Sequence, residues 1–191
     1  MNHPDQLKWD QRYQNSSGVP AACTVLQQNL HLLPSQGKAL DLACGLGGNA
    51  LLLARQGLDT QGWDISAVAI EKLQQQAINE GVTLQSVSRD ITAEPPTAES
   101  FDVIVVSYFL ERQLAPALCA ALKPHGLLFY QTFTEHRVSE RGPQNPAYRL
   151  KENELLHLFA DLTLRYYREE GITGNTTQGF RDEAMLIAQK G

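Results

Sequence analysis

Apolar and polar residues follow two different periods along most of this chain. Short apolar runs, typical of strands, alternate with longer segments in which apolar residues recur every three or four positions, as in amphipathic helices. The predicted strands are residues 39–43, 59–65, 82–87, 101–107, 126–133, 162–168 and 184–189, and the predicted helices among them are residues 49–56, 67–80, 110–122 and 152–159. Because strands alternate with helices, the pattern predicts right-handed crossovers and an α/β fold with a parallel sheet.

The first part of the chain is predicted to be helical, without strands. Apolar residues recur at helical spacing over residues 20–33, and residues 4–14 form the other helix-like segment. With 191 residues, 42% of them hydrophobic, the chain has the size of one well-packed domain. We therefore predict a single domain in which residues 1–37 form an N-terminal helical lid or flank and residues 38–191 form the core.

Glycine and serine residues mark the ends of two predicted helices. Gly57 and Gly81 each follow directly after a helix, where a left-handed residue commonly ends it. Ser66 precedes the helix over residues 67–80, where its hydroxyl is expected to cap the first turn. These positions support the first two strand–helix units.

A glycine-rich loop joins the first predicted strand to the helix after it. Gly45 and Gly47, followed by Ala50, satisfy the dinucleotide fingerprint, in which glycines let the backbone approach a ligand closely. Asp64 stands about 20 positions onward, at the end of the second strand, where carboxylates commonly bond ribose hydroxyls. The combination predicts a ribose-bearing ligand. A P-loop is excluded because no Gly-Lys-Ser/Thr is present.

Asp41 adds a requirement that a nicotinamide dinucleotide does not meet well. It lies in the first predicted strand, ahead of the glycines, where a carboxylate removed from water needs a partner. A ligand with an ammonium or sulfonium charge, together with N–H groups of the loop, would supply one. An NAD-dependent oxidoreductase remains an alternative, weakened by Asp41 and by the lack of a Ser-Tyr-Lys-like catalytic set.

Several short motifs combine into a specific resemblance. They are Leu40-Asp41-Leu42-Ala43-Cys44-Gly45-Leu46-Gly47, Gly62-Trp63-Asp64-Ile65-Ser66, Arg89-Asp90-Ile91 and Phe101-Asp102-Val103-Ile104-Val105, with Trp9-Asp10-x-Arg12-Tyr13 early and Gly142-Pro143-x-Asn145-Pro146-x-Tyr148 late. On these motifs the chain resembles the class I S-adenosylmethionine (SAM) methyltransferases, and within them the tellurite-resistance and thiopurine methyltransferase-like group. The resemblance implies a Rossmann-like three-layer sandwich whose seven-stranded, mostly parallel sheet has an antiparallel last strand.

The resemblance also implies a binding site for SAM as the cofactor. Asp41 and the glycine loop would line the methionine end, Asp64 would bond the ribose hydroxyls, and Asp90 would bond the adenine amino group. Ser107 would offer its backbone carbonyl to the methionyl amine, and Arg12 would clamp the methionyl carboxylate. The full implied set is Trp9, Arg12, Tyr13, Asp41, Ala43, Cys44, Gly45, Gly47, Asn49, Asp64, Ile65, Ser66, Asp90, Ile91, Ser107 and Tyr108.

Three positions in this set have a second interpretation. The usual motif has glycine where Ala43 stands, which puts the tightness of the loop in question. Cys44 has the chemistry of a nucleophile, but no histidine lies near it in sequence to activate it, so a small buried spacer is preferred. Arg12 would otherwise be a solvated arginine on the surface of its helix.

Residues after the fourth and fifth predicted strands are candidates for binding the acceptor. Open α/β sheets bind ligands at the carboxyl ends of their strands. The candidates at this edge are Tyr108, Glu111, Arg112, Arg137, Arg141 and Tyr148. The two loop arginines suit an anionic acceptor, although a charged loop is often only solvated. Residues 145–148 resemble the Asn-Pro-Pro-Tyr motif of amino-group methyltransferases but follow the fifth strand instead of the fourth, so amino-group transfer is not favoured.

Composition narrows the class of protein and its partners. The net charge of −5 argues against nucleic acid as the main partner, because phosphate binding needs clustered Lys and Arg. The three cysteines are widely spaced and the histidines lack ligand spacing, so no metal is expected. No signal peptide or membrane span is predicted, and reduced thiols indicate a cytoplasmic protein.

These inferences predict a SAM-dependent methyltransferase that acts on a small-molecule acceptor. Methyl transfer from a sulfonium is an in-line displacement, for which holding donor and acceptor together is the main task. A thiolate, or a selenium or tellurium anion, would need no base, and no catalytic base is identified. A non-catalytic SAM-binding sensor or partner protein is the alternative from a different functional class.

Overall fold

A seven-stranded sheet forms the centre of the computed structural model, which describes residues 4–191. The strands are β1 (Lys38–Leu42), β2 (Asp59–Asp64), β3 (Gln85–Ser88), β4 (Phe101–Ser107), β5 (Leu122–Phe133), β6 (Thr163–Glu169) and β7 (Glu183–Gln189). Their order across the sheet is β3-β2-β1-β4-β5-β7-β6. Strands β1 to β5 pair in parallel and β7 runs antiparallel to both neighbours, which confirms the predicted sheet.

Helices precede, connect and flank the strands. They are α1 (Pro4–Gln14), α2 (Thr24–Gln28), α3 (Gly48–Arg55), α4 (Ala67–Glu80), α5 (Ala115–Ala121) and α6 (Glu154–Leu158), with 3₁₀ turns at Leu30–Leu32, Arg112–Leu114 and Pro146–Tyr148. Within residues 4–191, no helix combines the length and the apolar character needed to cross a membrane.

The apolar core lies on both faces of the sheet, and β4 is buried on each of them. Val105 belongs to one apolar cluster and Ile104 to the other, as alternation along a strand requires. Helices α5 and α6 pack into the cluster of Ile104, whereas α2 and α3 pack into that of Val105. Val25 and Leu26 of α2 are fully buried, so the N-terminal segment contributes to the core.

The capping residues of the first two strand–helix units are confirmed. Gly57 and Gly81 are left-handed, with φ of 87° and 67°, and each follows its helix closely. The Ser66 hydroxyl accepts a hydrogen bond from the Ala69 N–H at 3.1 Å. Helices α1 and α4 begin and end where the sequence predicts.

Two predicted helices are wrong in extent, for local reasons. The second N-terminal helix forms only α2 and a 3₁₀ turn, because Asn29 leaves helical geometry (φ −126°) and its side chain bonds the Val25 carbonyl. The helix predicted over residues 110–122 is α-helical only from Ala115, and Leu122 already pairs with β4. Strand β5 therefore begins earlier than its apolar run predicts.

Helix α1 is anchored on the start of α4. The Asp10 carboxylate accepts hydrogen bonds from Ser66 Oγ at 2.6 Å and from the Val68 N–H at 3.3 Å. The Lys72 ammonium donates to three carbonyls at and just after the end of α1, at 2.6 to 3.1 Å. A cation at this position also suits the negative end of the helix dipole. These contacts hold α1 next to the carboxyl end of β2.

Candidate functional site

The candidate site lies where the strand order changes direction, between β1 and β4. Open α/β sheets bind ligands in the crevice outside this point. The glycine loop, residues 43–47, leaves β1 here, and three of its residues are left-handed: Ala43 (φ 55°), Gly45 (φ 52°) and Gly47 (φ 80°). Ala43 therefore keeps the tight turn in which glycine is usual. A residue with a Cβ carries about 1–2 kcal/mol of strain in this conformation.

The two loop glycines fit closely against side chains of α4 and α1. A Cβ on Gly47 would collide with the Leu73 side chain of α4. A Cβ on Gly45 would lie 2.7 Å from the Tyr13 hydroxyl oxygen, so α1 covers this part of the loop. The reason expected from the sequence, close approach of a ligand, is thus accompanied by close approach of two helices.

Asp41 is fully buried, and its carboxylate is satisfied by the start of α3. Its oxygens accept hydrogen bonds from Asn49 Nδ2 at 3.1 Å and from the Ala50 N–H at 2.9 Å. Asn49 Nδ2 also donates to Ser107 Oγ at 2.9 Å, which connects β1 with the end of β4. Burial raises the pKa of Asp41 to about 7, because the bonds from Asn49 and Ala50 offset only part of the desolvation.

Asp64 joins the glycine loop to the end of β2. Its carboxylate, 6% exposed, accepts hydrogen bonds from the Gly45 N–H at 2.8 Å and from the Ser66 N–H at 2.9 Å. Burial raises the pKa of Asp64, and the negative charge of Asp64 contributes to the raised pKa of Asp41. Two carboxylates that resist ionisation therefore flank the same loop.

The structure brings the aromatic residues of α1 to this loop and leaves Arg12 on the outside. Trp9 and Tyr13 stack with ring centroids 5.8 Å apart, and the Tyr13 hydroxyl faces Gly45. The Arg12 guanidinium lies 5.4 Å from the centre of the Trp9 ring, on an exposed face. Tyr13 therefore lies against the loop, whereas Arg12 lies over the ring of Trp9.

The remaining residues of the predicted cofactor set lie on the same edge. Cys44 is buried, and burial raises its pKa well above the usual value, so it stays a neutral thiol, as a spacer would. Ile65 and Ile91 follow β2 and β3 and are half-buried and buried, respectively. Asp90 folds its carboxylate over its own turn, accepting from the Thr92 N–H at 3.0 Å and hydroxyl at 2.6 Å.

Tyr108, at the end of β4, contacts a further buried carboxylate, Glu183. The Tyr108 hydroxyl donates to Glu183 at 3.2 Å and accepts from Gln131 Nε2 at 3.1 Å. Gln131 Nε2 also donates to Glu183 at 2.6 Å, and Arg141 Nη2 donates to its other oxygen at 3.1 Å. Two predicted acceptor residues, Tyr108 and Arg141, are thus brought together.

Arg112, also predicted for the acceptor pocket, instead braces the loop after β5. It forms a bidentate pair with Glu154 of α6, at 2.6 and 3.0 Å. It also donates to the carbonyls of Ala147 and Arg149 at 2.7 and 2.8 Å. Four hydrogen bonds to the protein account for this side chain, and its pKa is raised chiefly by Glu154.

The other three predicted acceptor residues are not gathered with Tyr108. Glu111 caps the 3₁₀ turn after β4 by accepting from the Gln113 N–H at 3.1 Å. Arg137 contacts Gln144 at 3.3 Å within its own loop, and Tyr148 is 52% exposed. The sequence places these residues at the correct edge, but the structure gives them local or solvent contacts.

The buried side chain of Arg149, 3% exposed, connects distant parts of the loop over residues 135–149. Its guanidinium donates to the carbonyls of Thr134 (2.8 Å), Pro143 (2.7 Å) and Arg141. Leu150 N–H donates to the Phe133 carbonyl at 2.8 Å, which joins the two ends of the loop. These hydrogen bonds therefore hold together the loop that contains Arg141.

Comparison with known proteins identifies the family. Residues 13–169 match the family model described as a methyltransferase domain. The chain belongs to this methyltransferase family. The match includes the glycine loop, the two buried carboxylates Asp41 and Asp64 that flank it, and strands β1 to β6.

The methyltransferase is similar to TehB of Haemophilus influenzae, described as a probable S-adenosyl-L-methionine-dependent methyltransferase. Identity is 29% over 138 residues, which cover 69% of this chain and 48% of TehB. The chain spans about half the length of the curated relatives it matches first.

Solved structures share the fold. The crystal structure of TehB from Haemophilus influenzae superimposes with a TM-score of 0.73 at 22% identity, covering 96% of this chain and 67% of that chain. A protein solved for the conversion of a disulfide bond into a thioacetal group during echinomycin biosynthesis gives 0.73 at 21% identity, covering 97% and 92%. The predicted Rossmann-like architecture is confirmed.

The comparisons confirm the predicted methyltransferase family, and TehB, to which the chain is similar, is described as a probable SAM-dependent enzyme. The carboxylates beside the glycine loop fit SAM as a cofactor. Asp41 and Asp64 are buried carboxylates with raised pKa values, and a positive charge close by would stabilise their ionised forms. SAM supplies an activated methyl group on a sulfonium, together with ribose hydroxyls that a carboxylate can bond.

Sequence reasoning missed Gln131 and Glu183. Gln131 lies next to Thr132 inside the mostly apolar run of residues 126–133, and it is fully buried. Glu183 directly precedes the apolar run of β7, where the predicted strand begins one residue later. A polar residue within or beside an apolar strand was the available signal, because such a residue needs a buried partner.

Replacing Ala43 with glycine should stabilise the methyltransferase by about 0.5–1 kcal/mol. Relief of the left-handed strain, about 1–2 kcal/mol, exceeds the roughly 0.5–1 kcal/mol that glycine costs through entropy of the unfolded chain. Urea unfolding measures the free energy. Ala54→Gly within α3 is the matched control and should destabilise by about 1 kcal/mol. Equal destabilisation by both substitutions would contradict the strain at Ala43.

Proposed function

We propose that this methyltransferase transfers the methyl group of SAM to a small molecule whose attacking atom is a thiol sulfur or a selenium or tellurium anion. The observation that carries the proposal is the pair of buried carboxylates, Asp41 and Asp64, on either side of the left-handed glycine loop. A donor that combines a positive charge with ribose hydroxyls suits both. In the reaction the acceptor sulfur bonds the methyl carbon as the sulfonium–methyl bond breaks, leaving S-adenosylhomocysteine, and the thiol proton goes to water.

In this proposal SAM lies against the glycine loop. Its positive end is near Asp41, and its ribose hydroxyls bond Asp64, each of whose oxygens accepts one backbone N–H and has a lone pair left. Asp90 and Ile91 are proposed to contact the adenine. The carbonyl of Ser107, at the end of β4, is proposed to accept from the methionyl amine.

Residues 1–37 are proposed to act as a lid over the cofactor, although residues 1–3 lie outside the described residues. The contact of Tyr13 with Gly45 and the anchoring of α1 by Lys72 support this role. From its place on the Trp9 ring, Arg12 is proposed to reach the methionyl carboxylate. A lid of this kind would exclude water from the sulfonium.

The acceptor side supports a nucleophile that ionises without a protein base. Burial, and then the Glu183 charge, raise the pKa of Tyr108, so its phenol stays protonated and donates a hydrogen bond at neutral pH. A thiol with a pKa of about 8–9 provides several per cent thiolate near neutral pH by itself. Positioning is then the main contribution of the protein.

A turnover assay tests the function. The protein is incubated with SAM and with thiols, selenite, tellurite or amines, and products are detected by mass. Methylation of a thiol or of a selenium or tellurium species, with release of S-adenosylhomocysteine, is expected. Binding of SAM without turnover on any acceptor would favour a sensor, and binding of NAD without binding of SAM an oxidoreductase. Methylation of amines alone would contradict the acceptor class.

Asp64→Asn should weaken SAM binding about 5- to 150-fold, because a charged acceptor for the ribose hydroxyls is lost, at roughly 1–3 kcal/mol. Asp59→Asn is the matched control, since Asp59 is the exposed residue at the other end of β2. Calorimetry with SAM measures both variants. Equal affinity of the two variants for SAM would show that the ribose does not bond Asp64.

SAM binding should strengthen as pH rises from about 5 to about 7. The folded protein holds Asp41 mostly protonated in this range because burial raises its pKa to about 7, and a nearby cation lowers that pKa. Binding therefore releases protons, and affinity increases until Asp41 ionises without ligand. Asp64, with a pKa also raised by burial, acts in the same direction.

Calorimetry in buffers of different ionisation enthalpy counts the protons released on SAM binding. Asp41→Asn should reduce that count and flatten the affinity profile. Without ligand, rising pH lowers the folding stability. Protonated Asp41 stabilises the folded protein fully below its unfolded pKa of 3.8, and this stabilisation is lost as pH rises through about 7. A pH-independent affinity for SAM in the parent protein would refute the placement of its charge near Asp41.

A further inference from the structure

Glu183 is a buried carboxylate outside the proposed cofactor site. It opens β7, pairs with Phe133 of β5, and is 3% exposed. Its oxygens accept hydrogen bonds from Gln131, Tyr108 and Arg141, at 2.6, 3.2 and 3.1 Å. A buried carboxylate without such donors would carry a large desolvation cost. These three hydrogen bonds therefore hold the side chains of Gln131, Tyr108 and Arg141 around that of Glu183.

Tyr108 reaches this carboxylate through a strained backbone. Its φ is 56°, a conformation that costs a residue with a Cβ about 1–2 kcal/mol. The strain is held by the bond of its N–H to the Gln131 carbonyl at 2.9 Å and by contact with the Phe133 ring, whose centroid is 5.1 Å away. Tyr108 is nevertheless 46% exposed, so its ring is presented to solvent at the acceptor edge.

Arg141 is mostly exposed to solvent but pairs with a buried carboxylate. Its side chain is 64% exposed, yet it pairs with a carboxylate that is 3% exposed. Among the ion pairs of residues 4–191, no other joins so exposed an arginine to so buried a partner. The guanidinium has five N–H donors and gives one of them to Glu183. Its other donors are available to bond an anion from solvent.

A purely structural role does not require this arrangement. Buried ion pairs are often no more stabilising than apolar residues of similar volume. Strain and buried charge that persist together at the ligand-binding edge of a sheet are typical of functional sites. Gln131 adds a further link, since its Oε1 accepts from the Val25 N–H of the N-terminal segment at 2.8 Å.

We propose that Glu183 is a positioning residue of the acceptor pocket. It orients the Arg141 guanidinium and the Tyr108 phenol as donors to an acceptor that carries an anionic group near its attacking atom. This inference rests on the proposed methyltransferase function and narrows its acceptor to anionic small molecules. Glu183 acts through Arg141 and Tyr108 and does not itself touch the reacting atoms.

Two matched thiols separate positioning from simple support of the fold. Mercaptoacetate carries a carboxylate, whereas 2-mercaptoethanol carries a hydroxyl in its place. Glu183→Gln and Arg141→Gln should each raise KM for mercaptoacetate at least about tenfold, the effect of one charge-assisted hydrogen bond, with kcat within about threefold. KM for 2-mercaptoethanol and the affinity for SAM should stay within about twofold of the parent values.

Arg165→Gln is the matched control, because Arg165 is an exposed arginine of β6 that bonds Gln189. It should leave both KM values unchanged. Equal increases of KM for the two thiols in Glu183→Gln and Arg141→Gln would indicate structural support alone and overturn the proposal. Unchanged KM values would also overturn it. If Glu183→Gln fails to fold, Arg141→Gln carries the test, since that side chain is largely in solvent.

A binding measurement separates failure of this inference from failure of the proposed function. If the parent protein methylates neither thiol, each is titrated by calorimetry into the protein with S-adenosylhomocysteine present. Preferential binding of mercaptoacetate that is lost in Arg141→Gln would support the anionic pocket, even though the turnover reaction had failed. Equal or absent binding of the two thiols would overturn the pocket.

Discussion

Burial of the Asp41 carboxylate at the centre of the sheet is the constraint on which the candidate site depends. A carboxylate without water needs donors, and the start of α3 supplies them through Asn49 and the Ala50 N–H. For α3 to begin there, the chain must turn back sharply after β1, which the left-handed Ala43, Gly45 and Gly47 allow. The same turn aims the Gly45 N–H at Asp64 and so joins β1 to β2.

Two buried amides extend this network from Asp41 towards Glu183. Asn49 bonds Asp41 and also accepts from the Cys23 N–H at 2.8 Å. Gln131 bonds Glu183 and accepts from the Val25 N–H at 2.8 Å. The N–H of Cys23, which precedes α2, and the N–H of Val25 in its first turn are thus satisfied by one buried amide each. The N-terminal segment is therefore an integral part of the site.

The cofactor side could be predicted from the sequence because its residues follow one another along the chain. Asp41, Gly45, Gly47 and Asp64 lie at the ends of two consecutive strands, and their spacing alone places them around one loop. The strands and most helices were predictable for the same reason, since apolar periodicity is local. The break of the second helix at Asn29 was not, because it depends on a single side-chain bond to a backbone carbonyl.

The acceptor side could not be predicted in the same way, because it is assembled by pairing of distant strands. Glu183 meets Gln131 and Tyr108 only because β7 inserts antiparallel beside β5, a pairing that the apolar pattern does not specify. Arg112, which is close to Tyr108 in sequence, is drawn instead to Glu154. The residues that we propose recognise the acceptor can therefore change without altering the glycine loop. A glycine loop of this kind is compatible with many acceptors, and the buried carboxylate at the head of β7 is the feature that we propose selects an anionic one.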